Sequence, residues 1–572
     1  MNGGVPSGRP GGHIDAGRAM AVSVLGALVF TAYMISMNKG VALPLPVFWT
    51  SALGMLAPLV ILCTQDQAQR VSSRGLVLMT VVLAILLRLL YQIPEPGLFG
   101  SDVFMDFNSA RGILTTSHIR VLPEYSNGTS FFPPMHLLGA MMAQASGLPI
   151  EAVAKWMPSL LTGGMIALVV TTAKRLLANM GLACLAGLLL ACVQQNMMFG
   201  SLFIRETIAL VYAVACVYCV TVGGTPSRYL SIMFGAMCVL AHHLTSFLLV
   251  VFFVLRWVAL HAPSRAFTDL PTSNETQEER HSLPKLALFV SALMLSYWVY
   301  VVTQPIYSLT GFLQDLLSLS SWGHGTYGEG VGAVSPFQAG TRTAIVMLGQ
   351  LGFTGALAAL LGWELAVRRR FTSRRVLAHA LYIGVCGTTG FVLLYIVPMT
   401  AIPYPDRFLT HGWVFGSVAV AWSLGNLMRR TTGLRLCQCI VVAFALFNLW
   451  LVNPSLWDSC WEGGTLTRVG QQEYAFASRL DFFSQPFATH PALYLAVYDT
   501  HLKMGANLYV DDEPLPTDIS MVLPRTDLEL PDTTVNPLGQ EPVEVRCLDA
   551  SQGWNRVASS RKYIGYAQEE PN

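Results

Sequence analysis

Two aspartates stand four residues apart in GSDVFMDFNSARGIL, residues 100–114, directly after a long apolar run. On a helix, positions i and i+4 lie on the same side, so the carboxylates of Asp102 and Asp106 would be neighbours. Such carboxylates repel each other unless they share a proton or a cation, which suits a general base, a divalent-cation ligand, or one of each. The alternative is structural, because the helix dipole favours acidic residues in a first turn. Both interpretations stay open here.

A second polar pair, Arg205 and Glu206 in FIRETIAL, lies near the start of an apolar segment. Adjacent residues on a helix point about 100° apart, so these two need not pair with each other. Arg205 is predicted to face a phosphate, and Glu206 to tie the segment to a neighbouring helix. The alternative is a salt bridge that anchors the segment at the membrane interface.

Histidines and a further arginine complete the set of unusual polar residues. His242 and His243 in LAHHLTSF are adjacent, and adjacent histidines seldom converge on one metal ion. One imidazole is predicted to donate a hydrogen bond to a phosphate or hydroxyl, and the other to be structural. Arg407 in IPYPDRFLTHGW suits bidentate phosphate binding, unless it pairs with the adjacent Asp406. Two more candidates in the first polar loop are Glu124 and His136.

A membrane protein must position these residues, because the 572-residue chain is 53% hydrophobic and only 12% charged. A helix needs about 20 predominantly apolar residues to cross a hydrocarbon core of roughly 30 Å. The pair 229–241 and 244–260 is read as two helices, with one long helix as the alternative. The thirteen predicted spans are 20–37, 43–63, 75–92, 151–173, 177–193, 200–222, 229–241, 244–260, 285–304, 342–366, 376–399, 412–428 and 436–453.

The charges of the loops set the orientation, since Lys and Arg accumulate in short cytoplasmic loops. With the N-terminus inside and thirteen spans, the loop RRRFTSRR, residues 368–375, falls on the cytoplasmic side. One helix fewer within 229–260 would move that loop outside. We therefore predict a cytoplasmic N-terminal tail at 1–19, a transmembrane domain at 20–453 and an external C-terminus. The candidate polar residues then gather at the outer surface of the membrane.

The C-terminal part has a different character. Residues 454–572 hold 17 Asp and Glu against 8 Lys and Arg and contain no apolar span. Short runs such as ISMVLP and VEVRCL, separated by Pro, Asp and Gly, predict strands and turns. A small α/β or β-rich extracytoplasmic domain is therefore expected, in which Cys460 and Cys547 either form a disulfide or remain free thiols.

Three loops are long enough to carry predictions of their own. The first external loop, 93–150, and a later one, 305–341, are predicted to be functional because long loops in compact proteins usually are. The apolar and aromatic spacing of 305–341 suits a helix lying in the membrane interface. The polar inner loop 262–284 is predicted to be mobile.

These features together resemble the GT-C superfamily of integral-membrane glycosyltransferases, most of all its large archaeal and other prokaryotic members. The resemblance rests on GSDVFMDFNSARGI, SFFPPMHLLGAMMAQASGLPIEAVAKWMPSLL, FIRETIAL, LAHHLTSF, a late outer loop with an arginine, and the closing WNRVASSRKYIGY. It implies an all-α polytopic membrane protein, GT-C-like, with about thirteen transmembrane helices. It also implies inverting transfer of a sugar from a polyprenyl-phosphate donor to an acceptor hydroxyl. The WWDYG motif of the oligosaccharyltransferase branch is absent from 454–572, which favours transfer of a single sugar.

The resemblance also implies roles for the candidate residues. An acidic residue of the first external loop is the base or a metal ligand in this superfamily, and by position it matches Asp102. Asp106 is then its partner or a ligand of a divalent cation such as Mg or Mn. The positions that match donor phosphate-binding residues are Arg205, His242, His243 and Arg407. The acceptor-binding or supporting positions are Glu124, His136, Glu206 and Asp406.

The expected partners are the lipid-linked donor, a glycan, lipid or protein acceptor, and the membrane lipids, with no nucleic acid. The enzyme would be a hexosyl- or pentosyltransferase. Two alternatives stay open. One is a transporter or flippase of lipid-linked glycans, which often carries internal repeats around a midplane site. The other is a glycan polymerase or ligase of another fold. Polar residues gathered at one surface, without an internal repeat, favour the transferase.

Overall fold

The computed structural model describes most of the chain up to residue 452 and four short stretches beyond it. The described residues are 16–39, 41, 43–64, 73–93, 98, 101–119, 131–262, 274–302, 374–395, 406–428, 431–452, 487–489, 520–524, 554–559 and 563–568.

Fifteen helices account for the described part of the chain before residue 453. They are α1 Ala16–Asn38, α2 Leu45–Thr64, α3 Ser73–Gln92, α4 Ser101–Thr116, α5 Pro134–Ser146, α6 Ile150–Leu177, α7 Met180–Cys192, α8 Gln194–Phe199, α9 Arg205–Val222, α10 Thr225–Ala241, α11 His243–His261, α12 Asn274–Tyr300, α13 Arg374–Tyr395, α14 Asp406–Met428 and α15 Thr431–Val452.

Eight helices within the described ranges are long and apolar enough to cross a membrane: α1, α2, α3, α6, α9, α11, α12 and α15. Their outward faces expose large apolar side chains such as Leu25, Leu78 and Leu288, while polar side chains such as Asp106 and Glu206 are buried inside. This distribution suits a lipid solvent. The prediction of an all-α polytopic membrane protein is therefore confirmed. The predicted span 342–366 lies outside the described residues, so the count of thirteen and the sidedness stay predictions.

The break between α10 and α11 confirms the prediction of two helices over 229–260. His242 separates them with an extended backbone, φ −162° and ψ 130°. The predicted span 177–193 is shorter than expected, because the helix α7 covers only Met180–Cys192 and the extended backbone of Val193 ends it. The predicted span 200–222 becomes helical only at Arg205.

The predicted mobile loop 262–284 is wrong over its second half, because α12 already begins at Asn274. The physical reason is a set of charged contacts that the apolar pattern does not reveal. Glu279 in the polar first turns of α12 accepts hydrogen bonds from Nε of Arg256 at 2.5 Å and from Nε of Arg375 at 2.7 Å. These contacts tie the start of α12 to α11 and α13.

These contacts form the basic end of the bundle, defined by Arg256, Glu279 and Arg375. A nitrogen of the fully buried Arg256 guanidinium also donates a hydrogen bond to Oγ1 of Thr221, near the end of α9, at 3.0 Å. Arg256 stands thirteen residues after the start of α11 at His243, which is about 20 Å along the helix axis. The basic end and the start of α11 are therefore well separated.

Close approach of helix backbones packs the bundle. Gly26 of α1 leaves no room for a side chain, since a Cβ there would lie 2.5 Å from the backbone nitrogen of Met55 in α2. Ser23, one turn earlier, donates a hydrogen bond to the carbonyl of Met55 at 2.8 Å. Small residues that allow such approach are typical of helix interfaces in membranes. At the centre, α6 packs against α3, α5, α7 and α9.

Four described strands confirm β structure in the C-terminal part: β1 Phe487–Thr489, β2 Ser520–Pro524, β3 Trp554–Ser559 and β4 Tyr563–Gln568. They form one sheet in the order β1-β2-β4-β3, with β1 and β2 parallel and the other pairs antiparallel. The predicted run ISMVLP becomes β2. The run VEVRCL, Cys460, Cys547 and the loop 305–341 lie outside the described residues.

Replacement of Glu279 by glutamine tests the basic end. The change leaves Arg256 buried without its counter-charge, and loss of one partner of a buried ion pair costs about 3–5 kcal/mol. We expect the midpoint of thermal unfolding in detergent to fall clearly. The control is Glu278→Gln, since Glu278 and its partner Arg228 are both about half exposed and such pairs contribute about 0–1 kcal/mol. Equal midpoints for the two variants would contradict this account.

Candidate functional site

The carboxylate of Asp106 joins three helices at one point. Asp106 of α4 is 1% exposed, and its Oδ1 accepts a hydrogen bond from Nε2 of His136 on α5 at 2.7 Å. Its Oδ2 accepts the backbone N–H of Arg205 at 3.1 Å, and Nε of Arg205 lies 3.2 Å from Oδ1. Ile204, the N-cap of α9, provides no side-chain cap. Asp106 therefore satisfies a backbone donor that the start of α9 would otherwise leave unpaired.

The rest of the Arg205 side chain stays accessible. It is 19% exposed, its guanidinium lies 5.5 Å from the ring centroid of Phe132, and its two terminal nitrogens make no hydrogen bond within the described ranges. Phe132 also packs against the imidazole of His243, with ring centroids 5.6 Å apart. The neighbouring Tyr297 hydroxyl donates to the carbonyl of Phe131. An aromatic wall thus holds a guanidinium that has donors to spare.

Glu206 holds a second arginine in a similar way. It is 1% exposed, and its Oε2 lies 3.3 Å from Nε of Arg407 on α14. The Arg407 side chain is 14% exposed and its guanidinium lies 5.6 Å from the ring centroid of Phe199. As predicted, Arg205 and Glu206 do not pair with each other, and Glu206 ties α9 to another helix. The side chain of Asp406, the alternative partner of Arg407, lies outside the described residues.

A chain of hydrogen bonds runs beside this pair. Nδ1 of His242 lies 2.9 Å from Oγ1 of Thr245, and that oxygen lies 3.0 Å from Nε2 of His411. Nδ1 of His411 donates to the backbone carbonyl of Arg407 at 2.7 Å. The chain therefore links the junction of α10 and α11 to the first turns of α14. All three side chains are buried.

The two arginines act electrostatically on the same imidazole. Burial is the main cause that lowers the pKa of His242, and the positive charges of Arg407 and Arg205 lower it further. His242 is therefore neutral at physiological pH and acts through hydrogen bonds. We call this region the site end, defined by Asp106, Arg205, Glu206, His242 and Arg407.

The structure brings most of the predicted residues together and leaves some undescribed. Asp102 and Asp406 lie in the first turns of α4 and α14, which confirms that Asp102 and Asp106 share a helix. The side chains of Asp102 and Asp406, and all of Glu124, fall outside the described residues. His136, which is predicted to be a supporting residue, donates a hydrogen bond directly to Asp106.

Sequence reasoning missed Thr245, His411 and Phe132. The signal for His411 was present, since it follows Arg407 by four residues in DRFLTHG and so lies on the same helix face. Thr245 follows His242 by three residues. A threonine at this spacing is common at the start of a helix, so it gives no sign of a functional role. Phe132 carries no chemical signal of its own, because an aromatic residue in an apolar loop is most often simply packed.

The proposed metal role of Asp106 does not fit this arrangement. A cation ligand needs free lone pairs, and both oxygens of Asp106 already face donors from Arg205 and His136, the first of which is cationic. Within the described ranges, no group of three or more His, Cys, Asp or Glu side chains is placed to hold a metal ion. The side chain of Asp102 is not described, so its role as a ligand stays a prediction.

Similarity to known proteins is found among solved structures. No protein-family model matches the chain, and no curated protein matches it. The chain is similar to the Archaeoglobus fulgidus oligosaccharyltransferase in complex with Zn and sulfate, at 13% identity and TM-score 0.44, over 77% of this chain. It spans 59% of the length of that oligosaccharyltransferase.

Two structures of ArnT from Cupriavidus metallidurans are also similar to it. The complex with undecaprenyl phosphate gives 10% identity and TM-score 0.49, over 86% of this chain and 98% of ArnT. The apo state gives 12% identity and TM-score 0.49, over 87% and 98%.

Replacement of Asp106 by asparagine tests its structural role. The amide cannot neutralise Arg205 or accept as well from His136, and removing one partner of a buried ion pair costs about 3 kcal/mol. We expect a lower midpoint of thermal unfolding. Glu151→Gln is the control, because Glu151 also lies in the first turn of a helix but is only half-buried, where the dipole contributes at most about 1 kcal/mol. An unchanged midpoint for Asp106→Asn would show that Asp106 does not hold the site end together.

Proposed function

We propose that this chain is a GT-C-like membrane glycosyltransferase that moves a sugar from a polyprenyl-phosphate donor to an acceptor hydroxyl. The site end lies at the extracytoplasmic surface in this proposal, since the loop charges favour a cytoplasmic basic end. The absence of a WWDYG motif favours transfer of one sugar rather than of a whole oligosaccharide.

One observation carries the proposal: two arginines at the same end of the bundle are each anchored by a nearly buried carboxylate and remain partly exposed. Asp106 holds Arg205 and Glu206 holds Arg407, with exposed fractions of 19% and 14% for the two arginine side chains. The carboxylate of Asp106 contacts Nε of Arg205, and the two terminal nitrogens of Arg205 make no hydrogen bond within the described ranges, which suits an anion. A phosphate beside both partly exposed side chains would lie close to two positive charges.

The chain's own residues supply the chemistry of transfer. Asp102 takes the proton from the acceptor hydroxyl while the oxygen of that hydroxyl forms a bond to the anomeric carbon. The bond from that carbon to the phosphate oxygen breaks on the opposite face, so the configuration inverts and the phosphate leaves with the electron pair. Arg205 and Arg407 stabilise the charge that grows on the phosphate, and fixed donors act strongly where water is excluded.

The contacts of Asp106 support a division of labour between the two aspartates. Both oxygens of Asp106 already accept hydrogen bonds, from His136 and Arg205, so Asp106 is occupied as a structural anchor. Asp102 lies one turn earlier on α4, on the same side of the helix. We therefore assign the base to Asp102 and assign the fixing of Arg205 to Asp106.

The position of the site at helix ends also separates this proposal from a transporter. Arg205 starts α9, His242 separates α10 from α11, and Arg407 lies in the first turn of α14. Transporters usually place their site near the bilayer midplane between repeats. A site at the membrane surface suits a donor whose lipid tail stays in the bilayer while its sugar meets an acceptor outside.

The assignment of the base predicts the behaviour of Asp102→Asn. Asparagine cannot accept the proton, and loss of a general base lowers rates by about 10²–10⁴-fold. We expect this loss in transfer by the purified protein from a panel of polyprenyl-phosphate sugars, run with and without chelator, with the unfolding midpoint unchanged. Wild-type transfer rates in both Asp102→Asn and Asp106→Asn would overturn the glycosyltransferase mechanism.

The assignment of Arg205 to the phosphate predicts weaker lipid binding. Replacement by glutamine removes a charged donor, which costs about 1.5–3 kcal/mol, or roughly 10- to 100-fold in Kd. The measurement is calorimetric titration with a short-chain polyprenyl phosphate in detergent. Arg228→Gln is the matched control, because Arg228 starts α10 far from the site end and is about half exposed. Equal affinities for the two variants would remove Arg205 from the donor site.

A further inference from the structure

The hydrogen bonds beside the arginines have a direction that the contacts determine. The carbonyl oxygen of Arg407 can only accept, so Nδ1 of His411, 2.7 Å away, carries a proton. A neutral His411 then has a bare Nε2, which accepts the hydroxyl proton of Thr245 at 3.0 Å. Because that hydroxyl has a single proton, its oxygen must accept from Nδ1–H of His242 at 2.9 Å. A neutral His242 is left with a lone pair on Nε2.

The neutral state of His411 follows from its surroundings. The imidazole is 1% exposed, and Arg407 already places a positive charge beside it. Glu206 lies closer to Arg407, at 3.3 Å, than to Nδ1 of His411, at 3.7 Å, which exceeds hydrogen-bond distance. A second buried cation would therefore lack a counter-charge of its own, and such a cation is costly.

The nitrogen at the end of this series of hydrogen bonds has no partner within the described ranges. Nε2 of His242 makes no hydrogen bond there, although the side chain is 2% exposed. A ligand that donates to this nitrogen would gain a hydrogen bond that the described part of the protein does not supply. A lone pair repels the oxygens of an ionised phosphate, and it suits a hydroxyl group instead. This differs from the phosphate-binding role predicted for His242.

We propose that Thr245 and His411 are positioning residues that hold His242 with an unprotonated Nε2, which accepts a hydrogen bond from a hydroxyl group of the bound sugar. The sugar part of this proposal rests on the proposed function. The arginines then bind the phosphate of the donor while His242 reads its sugar. Sites that hydrogen-bond a substrate hydroxyl reject analogues that lack it, so His242 contributes to the choice of sugar.

A pair of substitutions at one position tests the proposal on the full chain. Thr245→Val keeps the shape of the side chain but removes the hydroxyl, and Thr245→Ser keeps the hydroxyl. The first readout is the ¹⁵N spectrum of histidine-labelled protein, with the signals of His242 identified among the 12 histidines by their loss in His242→Gln. We expect an unprotonated Nε2 and a protonated Nδ1 in wild type and Thr245→Ser, and a mixture of both tautomers in Thr245→Val.

The second readout is selectivity between the best donor sugar and its mono-deoxy analogues. We expect wild type and Thr245→Ser to discriminate about 10- to 100-fold against one analogue, and Thr245→Val to lose most of that discrimination with about 10-fold lower kcat/KM. A general loss of rate with unchanged discrimination would overturn the role in sugar choice. The charged groups that face His242 are Arg205 and Arg407, and the titratable groups that face it are His243 and His411.

The two readouts separate failure of this inference from failure of the proposed function. A proton on Nε2 of wild-type His242 would overturn the inference even if sugar transfer is normal. In that case a protonated His411 would donate to Thr245, and Thr245 would donate to Nδ1 of His242. No transfer with any lipid-linked sugar would overturn the proposed function and the sugar-binding role. The tautomer measured in the same protein would still decide whether Thr245 and His411 position His242.

Discussion

The pairing of the Asp106 carboxylate with the start of α9 is the constraint on which the site end depends. In a protein interior, an unpaired backbone donor or an unpaired charge is unfavourable, and the buried Asp106 pairs with both a backbone donor and a charge. It accepts the first N–H of α9, neutralises Arg205 and receives a hydrogen bond from His136. Because α4, α5 and α9 meet at this carboxylate, the position of Arg205 is fixed before any ligand arrives.

Glu206, the residue after Arg205, also fixes an arginine on another helix. Glu206 follows Arg205 on α9 and points to a different side, so one turn of helix organises two halves of the site. Glu206 fixes Arg407 of α14, and the chain from His411 through Thr245 fixes His242. The two arginines thus bring two positive charges to the site end, while His242 holds an acceptor there. The positions of these groups are set within the protein, which is the condition for strong electrostatic stabilisation.

The sequence predicted the class of fold and much of the membership of this site. Scarcity of charge made each polar residue conspicuous, and the loop charges placed Arg205, His242 and Arg407 at one end. The sequence did not predict the partners, because pairing depends on which helices are neighbours in space. Asp106 and Arg205 are 99 positions apart, and Thr245 and His411 are 166 apart. For the same reason the sequence predicts a loop at the charged start of α12, since the partners of Glu279, Arg256 and Arg375, lie on other helices.

The most direct test of this account is an experimental structure of the protein with a bound polyprenyl phosphate. We expect the phosphate to lie at the site end, within hydrogen-bond distance of both Arg205 and Arg407, with the imidazole of His242 directed toward the sugar. We also expect the contacts of Asp106 to His136 and Arg205 to persist in the complex. A phosphate bound elsewhere, such as beside Arg256 and Arg375 at the basic end, would contradict the central claim.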